Sequence, residues 1–210
     1  MARSVRELIQ SPPYAMEHRY AGTVPWLGAV THSFGGDQTG LYVVSFAKDI
    51  DSHDGARPDC PLHPERVRHW LEVRPELRLD GARPNAAQLS GFLAHWWIPD
   101  EHVLYVGRTE ASLRGRVHAY YGTALGAKKP HAGGCFLKTL DCLDRLYVHL
   151  FVGEGHSSYE HMALLNFRHG LSDETRAKLP DAIEQLPFAN LRWAEGPAKS
   201  RALTGLYGDL

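Results

Sequence analysis

Apolar positions along this chain change period several times, and each change marks an element. The run Gly40 to Phe46, GLYVVSF, is β-branched and aromatic throughout, the composition of a buried strand. Val103-Leu104-Tyr105-Val106 is a second such run and ends at Gly107. RLYVHLFV alternates, with Leu146, Val148 and Leu150 on one side, and reads as a third strand. Between and around these runs the period lengthens to that of a helix. Val5 to Gln10 predicts a short helix stopped by Pro12-Pro13, followed by a Gly-rich stretch. Pro64 starts PERVRHWLEV, with Val67, Trp70 and Leu71 on one face. Residues 85–97 predict another helix, with Asn85 as N-cap and Leu89, Phe92, Leu93 and Trp96 at three- and four-residue spacing. Further helices are expected from Ser112 to Tyr121, across CFLKTLDCLDRL, and from Ser157 to His169 with a stop at Gly170.

That order predicts an α/β fold of the α+β kind: a small, mainly antiparallel sheet of three strands flanked by helices, with a helical insert between the first two strands. One domain over 1–210 is expected, with an N-terminal extension (1–39), the insert (47–100) and a C-terminal tail (191–210). The insert carries mixed charges and an aromatic pair, Trp96 and Trp97. It is too apolar for a linker, so it is expected to pack on the sheet and to contact a ligand or bury its aromatics in a partner subunit. No internal repeat or low-complexity tract is present.

Composition changes this picture in one respect. With 43% hydrophobic and 22% charged residues and a net charge of −1, the chain is not a polyelectrolyte, so any nucleic-acid site has to be local. Leu104 to Leu146 holds seven basic residues against three acidic ones, +4, which leaves −5 for the remainder. Three cysteines, Cys60, Cys135 and Cys142, form no framework and suggest reduced thiols in a cytoplasmic protein. The charged N-terminus lacks a signal-peptide core, and no apolar run is long enough to span a membrane. Cys60-Pro-Leu-His63 has no second ligand pair at zinc-finger spacing.

The chemistry concentrates in HVLYVGRTEASLRGRVHAYY. A strand, a turn and a helix there bring together a phenol, several guanidinium groups and a glycine that lets backbone approach a ligand. Such groups suit the grip of a phosphate and the management of a proton beside it. Arg116 and Tyr120, four apart, share a helix face, whereas Arg114 points elsewhere. The order Tyr105-Val106-Gly107-Arg108-Thr109, then Arg116, then Tyr120, resembles the second half of the GIY-YIG nuclease signature, in its excision-repair and restriction-type forms. Gly40-Leu41-Tyr42 is similar to the first half. The two signature tyrosines lie 63 positions apart, so the insert replaces the usual hairpin turn. Restriction-type members carry such inserts.

This resemblance, from Gly40 to Asn190, implies a metal-dependent endonuclease acting on double-stranded DNA, with a homodimer as the assembly it allows and without a membrane. It implies catalytic roles for Tyr42, Tyr105, Arg108, Arg116, Tyr120 and Glu160. Glu160 would be the sole protein ligand of Mg²⁺ or Mn²⁺, Arg116 would clamp the scissile phosphate, and a tyrosine would help to remove a proton from water. DNA contacts are assigned to Arg114, Lys128, Lys129, His131, Lys138 and Asn190, the last within Pro187-Phe188-Ala189-Asn190. Without the resemblance, Ser157-Ser158-Tyr159-Glu160 reads equally well as a capping box, and each tyrosine as a core aromatic. Two other classes therefore stay open: a nucleic-acid-binding module on a decayed nuclease scaffold, and a small-molecule or structural α/β protein. A DNA-repair incision nuclease is a further form of the first reading.

Overall fold

A computed structural model describes residues 2–28, 37–127, 132–179, 181, 185–193, 198–199 and 202–206. In chain order the elements are α1 (Val5–Gln10), β1 (Arg19–Pro25), β2 (Gly40–Ser45), α2 (Pro64–Val73), β3 (Arg78–Leu79), α3 (Ala86–His95), β4 (Val103–Thr109), α4 (Leu113–Gly122), α5 (Ala132–Lys138), β5 (Tyr147–Val152), α6 (Ser157–Gly170), α7 (Asp173–Lys178) and β6 (Leu203–Thr204). Four strands form an antiparallel sheet in the order β1-β5-β2-β4. None of the described helices is long and apolar enough to cross a membrane.

The sheet has helices on both faces, which is why β2 is buried at every position rather than at alternate ones. Leu41, Val43, Val106 and Phe151 pack with Val5, Leu8 and Ile9 of α1 and with Ala163, Leu164 and Phe167 of α6. Tyr42, Val44, Leu104, Val148 and Leu150 pack with the insert and with α4 and α5. Each fully buried aliphatic or aromatic side chain contributes roughly 1.5–3 kcal/mol, so both layers are needed to hold so thin a sheet. Helix starts follow their caps. Ser4 with Glu7 and Asn85 with Gln88 form reciprocal capping boxes, and Ser112 accepts from the Gly115 amide.

Three expectations are corrected. The sheet has four strands, because the stretch assigned to an N-terminal extension supplies β1; as an edge strand it fully buries Val24 alone and carries no apolar run. The helix expected across residues 135–146 stops at Lys138. Thr139 turns its hydroxyl onto the Phe136 carbonyl (2.6 Å), and the backbone at Leu140 and Asp141 pairs instead with Leu62 and Pro61. The insert buries its aromatics within this chain rather than in a partner subunit. Trp97 meets Phe46 and Phe188, Trp70 meets Phe136, and β3 pairs with β6 from the segment read as a tail.

Candidate active site

The antiparallel register of β2 and β4 sets Tyr42 opposite Gly107. A Cβ at Gly107 would lie 2.5 Å from both Tyr105 Cε1 and Tyr42 Cζ. Glycine is thus the residue that lets the two phenol rings close over the strand, 5.7 Å apart between centroids. Tyr120, two turns into α4, completes the group: it stacks on Tyr105 at 4.7 Å and meets Tyr42 at 6.0 Å. Gln38 anchors the start of α4 through its carbonyl, which accepts from the Leu113 amide (2.8 Å).

Beside the phenols lies an open cleft of about 370 Å³, lined by Tyr105, Arg108, Thr109, Glu110, Arg116, Glu160 and Arg192. β4 contributes the first three, α4 contributes Arg116 and the first turn of α6 contributes Glu160. The loop before α6 reaches β4 because Gly155 has no side chain; a Cβ there would lie 1.8 Å from the Thr109 carbonyl oxygen. Arg108 ties the two elements together. Its Nη1 donates to the Gly155 carbonyl (2.9 Å) and to Glu110 Oε1 (2.5 Å), and its Nε lies 3.7 Å from Glu160 Oε2.

The capping-box reading of Glu160 does not hold. His156, not Ser157, is the N-cap of α6, and its ring nitrogen accepts from the Ser158 amide. Glu160 is left facing the cleft. Burial pushes its carboxyl pKa up, and Arg108, Arg116 and Arg192 pull it back down. Burial also raises all three phenols. Tyr42 is raised although Arg116 draws it the other way, and Tyr105 and Tyr120 are pushed well above the usual range, with the neighbouring phenols adding to the shift. The cleft therefore presents three guanidinium groups against two carboxylates and holds its tyrosines protonated, a surface suited to an anion.

Of the DNA contacts expected from sequence, Arg114 is exposed and free of the core. Two others have hydrogen-bond partners within the chain. Lys138 is half-buried and donates to the Tyr121 carbonyl at the end of α4 (2.9 Å), and burial lowers its pKa. Asn190 is buried. Its Oδ1 accepts from the Val106 amide (2.9 Å) and its Nδ2 donates to the Val106 carbonyl (2.8 Å), so it fixes the backbone between Tyr105 and Gly107. Lys128, Lys129 and His131 lie outside the described residues. Arg192 and Glu110 line the cleft but stood out in no sequence pattern; the proximity of Arg192 to Asn190 was the one available hint.

Comparison with protein-family models, with curated proteins and with solved structures finds no match to this chain.

Proposed function

We propose that this chain is a divalent-metal-dependent endonuclease of the GIY-YIG type that hydrolyses phosphodiester bonds in duplex DNA. The observation that carries the reading is the convergence of Tyr105, Arg108, Arg116 and Glu160, from three separate elements, on one cleft. The two signature tyrosines meet over Gly107 despite the long insert between them.

Among the described residues no three His, Cys, Asp or Glu side chains gather into a group that could hold a metal. Glu160 is nevertheless a hard oxygen donor set within cations. That fits an ion such as Mg²⁺ or Mn²⁺, which keeps most of its waters and completes its shell with substrate phosphate. Glu160 would hold it, and when bound it supplies positive charge to the oxygen that leaves. Arg116 grips the phosphate and offsets charge building on its oxygens. Arg108 binds Glu110 and lies 3.7 Å from Glu160, which keeps a cation beside the carboxylate that faces the cleft. Tyr105, the phenol that lines the cleft, is a hydrogen-bond donor placed to orient water or phosphate; the raised pKa of all three phenols runs against the base role expected from sequence.

One observation favours the binding-module reading: protonated phenols and paired arginines bind a phosphate without cleaving it. Supercoiled plasmid separates the two. The nuclease reading expects nicking in Mg²⁺ or Mn²⁺ that EDTA stops. Binding with no nicking under any divalent ion leaves the module.

A further inference from the structure

Residues 186–193 are held to the rest of the molecule at three points, and these set Arg192 across the mouth of the cleft. The Ala189 amide donates to the Leu104 carbonyl (2.8 Å), and Asn190 staples Val106 through both of its amide atoms, so the segment runs along the free edge of β4. Lys199 is fully buried. Its ammonium donates to the Pro187 carbonyl (2.9 Å) and lies near those of Leu186 (3.2 Å) and Phe188 (3.3 Å), while its amide donates to Leu191 (2.7 Å). Trp193 is buried against the ring of His161, the neighbour of Glu160 in α6 (5.7 Å between centroids). The chain thus passes from the strand that carries Tyr105 and Arg108 to the helix that carries Glu160. Leu191 and Trp193 point inward, and Arg192 between them is exposed.

We propose that Arg192 is a DNA-contacting residue that grips a phosphate flanking the scissile one. This rests on the nuclease reading and adds a substrate-positioning role to it. Depth divides the cations. Arg116 sits against the phenols with its Nε buried, where the reacting phosphate would have to reach, whereas Arg192 stands at the rim. Arg108 is engaged by Glu110, Glu160 and Gly155, but among the described residues no ion pair engages Arg192. An exposed guanidinium anchored on both sides loses little freedom when it meets a phosphate oxygen.

The test measures duplex DNA binding by fluorescence anisotropy in EDTA over a salt series, then single-turnover cleavage in Mg²⁺ at saturating protein. Arg192→Ala is expected to weaken binding roughly tenfold, the scale of one charge-assisted contact. It should reduce the slope of log K against log salt by about one. The loss should fall more heavily on binding than on the cleavage rate at saturation, as expected of a contact already made in the ground state. Arg192→Lys should restore most of the binding, since a rim contact needs charge more than a fork. Unchanged binding and slope in Arg192→Ala, or an unchanged Kd with a large loss of rate, would overturn this inference alone. A wild-type protein that neither binds nor cuts duplex DNA would overturn the nuclease reading and this inference together.

Discussion

Two clusters of polar side chains lie on neighbouring strands of one sheet, and they differ in whether their hydrogen-bonding and charge are satisfied. In the first, Tyr20 bonds Thr23 (2.6 Å), Thr23 bonds His149 Nδ1 (2.7 Å), and His149 Nε2 lies 2.9 Å from Ser45 Oγ and 3.0 Å from the Ala47 carbonyl. A Ser–His–Thr string of that kind invites a catalytic reading. Yet Ser45 and His149 are completely buried, and burial pushes His149 down to about 4, so the ring is neutral. In the second, around Tyr42, Tyr105, Arg116 and Glu160, a cleft reaches the group and cations outnumber carboxylates. A closed polar network specifies a core, whereas an open one with surplus charge waits for a ligand.

Mutations should separate the two clusters by which property they change. Arg116→Ala is expected to lower turnover about a hundredfold to a thousandfold at saturating DNA, with little change in melting temperature. Arg116→Lys should recover little, since a point charge does not reproduce the planar fork. An equally mild effect from both would place Arg116 with the structural cluster.

His149 should do the reverse. Its folded pKa lies below the ordinary histidine value, so its contribution to stability is complete above about pH 6.5 and is lost as pH falls toward 4, about 3 kcal/mol in all. Glu101, pushed up to about 8 by burial beside Asp100, has the opposite slope. The readout is therefore the difference between wild type and His149→Gln in urea unfolding at pH 7.5 and 4.5. The variant should lose less stability on acidification, and its cleavage rate per folded molecule at pH 7.5 should match wild type. Parallel losses in the two proteins would remove His149 from the account.

Gly107→Ala bears on the boundary between the regions. The added methyl meets Tyr42 and Tyr105, so overpacking should cost about 1–3 kcal/mol and displace both phenols, lowering stability and turnover together. Arg114→Ala, on the exposed side of α4, is the smallest expected change. It should weaken DNA binding a few-fold in a salt-dependent way and leave stability within about 0.5 kcal/mol.

How far the sequence foretold this arrangement depends on how local each cause is. β2, β4 and β5 were legible because apolar runs demand burial, and α3 and α4 because Asn85 and Ser112 cap their starts. β1 was not legible: an edge strand half in solvent needs no apolar run, and its place is fixed by pairing with β5. The break after Lys138 came from a tertiary partner, the backbone near Leu62, which helical spacing cannot reveal. Within the site, Gly107 beside Tyr105 could be read from the chain. The diversion of Lys138 to a helix end and the arrival of Arg192 at the cleft depend on contacts between distant segments, which no local spacing records.

Glu160→Gln, assayed for Mg²⁺-dependent plasmid cleavage and for thermal melting on one preparation, tests the central claim most directly. The account predicts that wild type cuts in Mg²⁺ and stops in EDTA. The variant should bind DNA and melt within a degree or two of wild type but not cut, because Glu160 faces the cleft and caps nothing. A variant that cuts at the wild-type rate, or a wild-type protein that cuts in neither Mg²⁺ nor Mn²⁺, would contradict it.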